Sequence, residues 1–266
     1  KQEAAFVVPP RLYLLAVGVS SYLRADLQLT YPAKDARDLT ATFLKQKGLL
    51  YSEVNTHLLL DGDATKAGIM DGLEWIQRQT TAHDVAIVFL AGHGINDPGT
   101  SRYHFLPVDA DPAAIKRSML SQEEIQSTLR NIAGKVLFFL DSCYAGNLLE
   151  EWGTRGADEL SPFISELLNS ENGAVVFAAS TRRQRSREAA SWGNGAFTKA
   201  VIEGLNGKAA FVKGRPITVN MLDLYVSERV KELTAGVQTP ATAKPSTMPD
   251  FPIAVVPSQK AIFHGP

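Results

Sequence analysis

Five short runs of the chain are apolar almost without interruption: residues 12–19 (LYLLAVGV), 56–60 (THLLL), 85–91 (VAIVFLA), 136–140 (VLFFL) and 174–179 (AVVFAA). A strand with one wet face alternates apolar and polar positions. Near-continuous runs predict strands covered on both faces. Between them the spacing turns helical. Residues 35–47 bring Ala36, Leu39, Phe43 and Leu44 to one side, and residues 65–79 do the same with Ile69, Leu73 and Ile76. Residues 121–132 open with Ser121 three positions before Glu124, a capping-box pattern, and carry Ile125 and Leu129. Two further helical patterns cover 197–205 and 218–233. Strand and helix alternating at this spacing predict an α/β fold, with a mostly parallel sheet and helices on both faces.

Three stretches break the alternation. Residues 94–112 are polar around Asn96-Asp97-Pro98-Gly99 and read as a long loop or hairpin. Residues 146–172 are rich in Gly, Glu and Asn, with a short helix expected near 162–168. Residues 234–252 hold four prolines and read as extended, leading into a final strand at 253–256. No internal repeat or low-complexity tract appears, so residues 1–266 are expected to form a single domain, with 146–172 as its most exposed internal linker.

Composition narrows the function classes. The chain has 266 residues, 45% hydrophobic and 21% charged, with a net charge of −1, which argues against disorder and against a general nucleic-acid surface. No apolar run reaches the ~20 residues of a membrane span. Lys1-Gln2-Glu3-Ala4-Ala5 lacks the apolar core of a signal peptide and an initiator Met, so the chain reads as a piece of something longer. The expectation is a cytoplasmic protein that contacts neither membrane nor nucleic acid. One cysteine allows no internal disulfide, and no Cys-based zinc site without ligands from another chain. Taken singly, a free Cys is usually a small buried hydrophobe.

The neighbours of that cysteine change the picture. In open α/β sheets, active sites gather beyond the carboxyl ends of the strands. The VAIVFLA run leads into Gly92-His93-Gly94, and the VLFFL run into Asp141-Ser142-Cys143-Tyr144-Ala145-Gly146. A thiolate is the nucleophile; a nearby imidazole generates it by taking the thiol proton and later returns the proton to the leaving amine. Glycines on both sides of His93 let the backbone approach a substrate and leave the Gly94 N–H to meet a developing oxyanion, with the Cys143 N–H as second donor. The other histidines (His57, His83, His104 and His264) lack such a setting and are read as structural.

The blocks Ala91-Gly92-His93-Gly94 and Asp141-Ser142-Cys143-Tyr144-Ala145-Gly146, fifty residues apart from His93 to Cys143, resemble the His and Cys blocks of the caspase superfamily. That spacing is already known for caspases. The likeness is closest to the metacaspase and prokaryotic caspase-like (orthocaspase) branch. It extends through 14–18, 31–39, 105–109 (FLPVD), 178–181 and 192–205, and so covers most of the chain from 11 to 205. The resemblance implies a caspase-like sandwich with a central sheet of about six strands. It also implies catalysis by His93 and Cys143 and oxyanion donors at Gly94 and Cys143. It divides the domain into a large-subunit-like part (about 11–150), a linker (about 147–172) and a small-subunit-like part (about 173–257).

Caspases carry Gln-Ala-Cys at the nucleophile and bind an aspartate side chain with arginines. This chain has Asp141 two residues before Cys143, and Asp35 in Pro32-Ala33-Lys34-Asp35-Ala36, where metacaspases carry a pocket aspartate. Two carboxylates there would repel an acidic side chain and hold a cation, so the expected substrate is a protein or peptide cut after Arg or Lys. The plain alternative for Asp35 is a helix N-terminal residue favoured by the dipole. Asp141 also has a cost, since a nearby carboxylate raises a thiol pKa and His93 must offset it.

Arg155-Gly156, inside the exposed linker, is the expected self-cleavage point. The cluster Arg182-Arg183-Gln184-Arg185-Ser186-Arg187 reads as a solvated loop, a second processing site or a rim of the substrate groove. Many metacaspases bind calcium through an acidic pair before the Cys strand. Here that stretch is Leu120-Ser121-Gln122-Glu123-Glu124, and Glu150 alone would make a poor site, so no metal and no cofactor are expected. An upstream activator or partner domain fits the resemblance, and monomer and homodimer both stay open. So do a thiol hydrolase of small amides and a catalytically inactive caspase-fold adaptor or scaffold. The biological setting implied by the resemblance is regulated proteolysis in stress, cell death or anti-phage defence in a prokaryote.

Overall fold

The computed structural model describes residues 8–97, 99–144 (Cys143 and Tyr144 by backbone), 163, 166, 173–179, 192–212, 214–246 and 248–256. Its strands are β1 (Leu12–Gly18), β2 (Val54–Leu60), β3 (Val85–Asn96), β4 (Tyr103–Phe105), β5 (Leu120–Ser121), β6 (Lys135–Tyr144), β7 (Ala174–Ala178), β8 (Ile217–Thr218), β9 (Ala241–Ala243) and β10 (Pro252–Ala254). The helices are α1 (Pro32–Leu44), α2 (Lys66–Gln79), α3 (Ile115–Ser118), α4 (Gln122–Asn131), α5 (Ala196–Glu203) and α6 (Val219–Thr234).

The central sheet runs β2-β1-β3-β6-β7-β9, with all pairs parallel except the last. Successive side chains on a strand face opposite ways, and this divides the core in two. Val88, Leu90, Phe138 and Leu140 pack with Ile69 and Leu73 of α2 and Ile125 and Leu129 of α4. Ile87, Phe89, Leu137 and Phe139 pack with Leu39 and Phe43 of α1, Phe197 of α5 and Leu222 of α6. Every residue of β1, β3 and β7 is buried, which is why β1, β7 and residues 85–91 of β3 read as unbroken apolar runs. Each fully buried Phe or Leu contributes about 1.5–3 kcal/mol.

The expected helices form, and the capping box is real. The Ser121 N–H donates to Glu124 Oε2 at 2.6 Å and the Glu124 N–H to Ser121 Oγ at 3.2 Å. The first helix starts earlier than its apolar spacing suggests, at Pro32, whose fixed φ suits a first helical position. The polar stretch after β3 is a hairpin, with β4 folding back antiparallel on Gly94–Asn96. Of the short helix expected near 162–168, Phe163 and Glu166 are described and both are helical. The expected C-terminal strand forms, at Pro252–Ala254. The segment at 252–254 pairs with β8 in a separate two-stranded sheet, while the sixth strand of the main sheet is β9, inside the proline-rich stretch read only as extended. Three residues, Ala-Thr-Ala, carry no apolar period, so tertiary pairing alone makes them a strand. Among the described residues no helix is long and apolar enough to cross a membrane.

Candidate active site

β3 outlasts its neighbour β1. The parallel pairing with β1 ends at Gly18 opposite Ala91, and β3 then exchanges that neighbour for β4, with Gly94 opposite Phe105. On its other side the register with β6 continues without a break through Ala91↔Asp141 and Gly92↔Ser142 to His93↔Cys143 and Gly94↔Tyr144. His93 and Cys143 therefore occupy one rung of adjacent strands, which lie about 4.8 Å apart in a sheet, at the carboxyl end.

His93 is buried, and the loop between β1 and α1 holds it. Its Nε2 lies 3.1 Å from the Leu27 carbonyl oxygen. A carbonyl only accepts, so Nε2 carries the proton and Nδ1 is the basic nitrogen of the neutral ring. The His93 N–H, with no β1 partner left, donates to Tyr22 Oη at 2.8 Å, and that hydroxyl donates to the Leu106 carbonyl at 3.2 Å. The loop itself is pinned. Asp61, at φ +45°, accepts the N–H groups of Ser20 and Ser21 at 2.8 Å each, and Gln28 Nε2 donates to the Tyr22 carbonyl at 2.7 Å.

The glycines beside His93 meet side chains of the protein itself. A Cβ on Gly92 would lie 2.8 Å from Tyr22 Oη, and one on Gly94 would lie 2.4 Å from the Tyr103 ring. That ring stacks on Phe163 at 4.7 Å, and its hydroxyl bonds Ser142 Oγ at 3.1 Å. Peptide directions follow from alternation along a strand. The His93 carbonyl accepts Leu106 N–H from the β4 side, so Gly94 turns its N–H toward β6. The Leu140 carbonyl accepts Ala179 N–H from the β7 side, so Cys143, three residues on, turns its N–H toward β3. The two N–H groups face into the same seam.

Asp35 and Asp141 come together. Both are buried, at 2% and 5% exposure, although one sits in the first turn of α1 and the other on β6. They meet at the N-terminus of α5. The Gly195 N–H donates to Asp35 (3.3 Å to Oδ1, 3.2 Å to Oδ2), Asn194 Nδ2 donates to Asp35 Oδ1 at 2.8 Å and to Asp38 Oδ2 at 2.9 Å, and Thr198 Oγ1 donates to Asp141 Oδ2 at 2.7 Å. A Cβ on Gly195 would lie 3.1 Å from Asp35 Oδ2 and 3.3 Å from Asp141 Oδ2, so both carboxylates flank this one residue. Burying two like charges is costly unless donors meet them. The helix N-terminus supplies N–H groups and the positive end of its dipole. Asp35 thus caps α5 from another helix as well as serving its own.

Asn194, Gly195 and Thr198, and the Tyr22–Leu27 cradle, escaped sequence reasoning. Gly193-Asn194-Gly195 ahead of a helical pattern was the available signal for the first group; nothing local marks Tyr22. Arg155, the arginine cluster at 182–187, Glu150 and His264 lie outside the described residues. His57 packs edge-on to Trp75, His83 bonds the Val8 carbonyl and His104 the Arg102 carbonyl, all structural contacts. Among the described residues no group of three or more His, Cys, Asp or Glu could hold a metal ion. In the stretch before β6, Ser121 caps α4, and Gln122 accepts the Tyr103 N–H at 3.3 Å and donates to Glu166. Glu123 and Glu124 pair with Arg102 and Lys66.

A family model of the caspase domain (Peptidase_C14) matches residues 11–251, well past the 205 reached by the motifs alone. Among solved structures, protein GSU0716 from Geobacter sulfurreducens is similar with a TM-score of 0.60 at 17% identity, covering 89% of this chain and 95% of that one. At that identity the likeness speaks for the fold. No curated protein matches. A family match over nearly the whole described chain, on a sheet whose central path runs through six strands in this order, makes the protein a member of the caspase domain family, the caspase-like cysteine peptidases.

Proposed function

We propose that the chain is an endopeptidase that cuts after Arg or Lys, with Cys143 as nucleophile and His93 as base. The observation that carries the specificity is the meeting of Asp35 and Asp141 at Gly195, with Asp141 two residues before Cys143 on β6. A buried pair of carboxylates favours a guanidinium or ammonium and rejects an acidic side chain.

In this reading His93 Nδ1 takes the Cys143 thiol proton, and the thiolate adds to the scissile carbonyl carbon. The oxyanion draws on the N–H groups of Gly94 and Cys143. Both face the β3–β6 ladder, so the carboxyl end of that ladder, around His93↔Cys143 and Gly94↔Tyr144, must part to admit it. The tetrahedral adduct collapses as His93 returns the proton to the leaving amine and the C–N bond breaks. A water deprotonated by His93 then hydrolyses the thioester and regenerates the thiol. Ser121, Gln122 and Glu124 are engaged in capping and bridging, so this stretch does not fit a calcium ion.

The same reading takes Arg155 as a self-processing point between a large-subunit-like and a small-subunit-like part. It makes the enzyme a cytoplasmic protease in regulated proteolysis, acting on proteins or peptides as monomer or homodimer, under an upstream activator or partner domain. Mass spectrometry of the wild type beside Cys143→Ala, with peptides bearing Arg, Lys or Asp before the scissile bond, tests it. Cleavage after Arg155 and turnover of Arg or Lys peptides by the wild type alone are expected. Turnover of Asp peptides overturns the specificity, and no turnover of any peptide leaves the adaptor reading.

A further inference from the structure

We propose that Thr198 and Asn194 are positioning residues, which fix the planes of Asp141 and Asp35 so that the pocket takes an arginine guanidinium in preference to a lysine ammonium. The inference rests on the basic specificity proposed above and adds the residues that set it. Thr198 is fully buried, so it acts on a substrate only through Asp141. Threonines elsewhere in the helices (Thr40, Thr42, Thr128 and Thr234) turn their hydroxyls back to a carbonyl four residues earlier. Thr198, in the first turn of α5, donates out of its helix to the carboxylate beside the nucleophile. Asn194 spans two carboxylates with one amide nitrogen, Asp35 and Asp38, and Asp38 is itself paired with Lys34.

The consequence is geometric. The terminal torsion of an aspartate is soft and broad, so an unclamped carboxylate presents any plane. Donors on Asp35 and Asp141 fix both planes on two sides of Gly195. A planar guanidinium with donors in a rigid fork gains from fixed acceptor planes. An ammonium is a point charge with rotatable donors and is indifferent to them.

The test uses Thr198→Val, close in shape and lacking the hydroxyl, with Thr198→Ser to restore it, and Asn194→Ala at the half-buried second clamp. Matched Arg and Lys peptides are assayed on enzyme whose active sites have been titrated. For Thr198→Val, KM for the Arg peptide rises ~10-fold while kcat holds within ~2-fold, the loss of one hydrogen bond to a charged group. The Lys peptide changes little, so the Arg:Lys ratio of kcat/KM falls. Thr198→Ser recovers the ratio, and Asn194→Ala moves it the same way. An equal loss for both peptides, an unchanged ratio in both Thr198→Val and Asn194→Ala, or no recovery in Thr198→Ser overturns the inference and leaves the basic specificity standing. A wild type that cuts neither peptide overturns both. Should Thr198→Val fail to fold, Asn194→Ala and Thr198→Ser decide through the same ratio.

Discussion

Tyr22 holds His93 from behind: its hydroxyl accepts the His93 N–H at 2.8 Å, and the two rings lie 5.3 Å apart. The same hydroxyl donates to the Leu106 carbonyl. Tyr22→Phe keeps the ring and leaves two buried backbone groups without that partner. Each such loss costs about 1–3 kcal/mol. We expect a lower melting temperature and a ~10-fold lower kcat, because His93 loses its fixed pose. Peptide kinetics and calorimetry on one preparation check it.

Replacing either member of the proposed dyad is expected to remove the chemistry. Cys143→Ala and His93→Ala are each expected to lower kcat/KM by at least ~10³. In the proposed mechanism the two residues act as a unit, so the double variant should be no worse than the singles. Additive losses would show that they act independently.

Gly94→Ala is expected to destabilise the fold as well as the activity. Its Cβ would fall 2.4 Å from the Tyr103 ring, which is buried and stacked on Phe163. Overpacking of this kind costs about 1–3 kcal/mol, or roughly 2–4 °C in melting temperature per kcal/mol at this chain length. Gly173, whose Cβ meets nothing within 4 Å, still sits at φ +69°. Gly173→Ala should therefore cost only the backbone strain, which thermal melts of the two variants separate.

Acid weakens the join between α5 and α6. Burial pushes the Glu203 carboxyl up, but hydrogen bonds from Arg229, Tyr225 and Lys208 outweigh it and hold it at about 2, against an ordinary 4.5. A depressed carboxyl stabilises the fold above its ordinary pKa, and that contribution fades as the pH falls from 4.5 toward about 2. Glu203→Gln is expected to cost about 1 kcal/mol at pH 7 once solvent screening is allowed for. Urea melts should show this gap closing as the pH falls below 4. A gap that persists at pH 2 would count against the ion-pair account.

Most of the sheet was legible because β1, β3, β6 and β7 are covered on both faces, and burial on both faces writes itself as unbroken apolar runs. The positions of His93 and Cys143 followed from the same runs, being the residues just past their ends. β9 was illegible for the converse reason. Ala241, Thr242 and Ala243 are half-buried on an edge, and only pairing with Val176–Ala178 makes them a strand. Asp35 and Asp141 could be named singly from their neighbours. Their meeting at Gly195, 160 residues along the chain from Asp35, is a tertiary fact that no local pattern carries.

The pairing of β6 with β7 spans the linker. Its rungs run from Val136↔Ala174 to Leu140↔Ala178 in the buried middle of the sheet. A break in the covalent chain between these strands would sever no hydrogen bond of that ladder. The two products would stay as one particle, the first bearing His93, Cys143, Asp35 and Asp141, the second bearing Asn194, Gly195 and Thr198. They would elute together under native conditions and separate only in denaturant. Neither product alone would hold the whole of the proposed pocket.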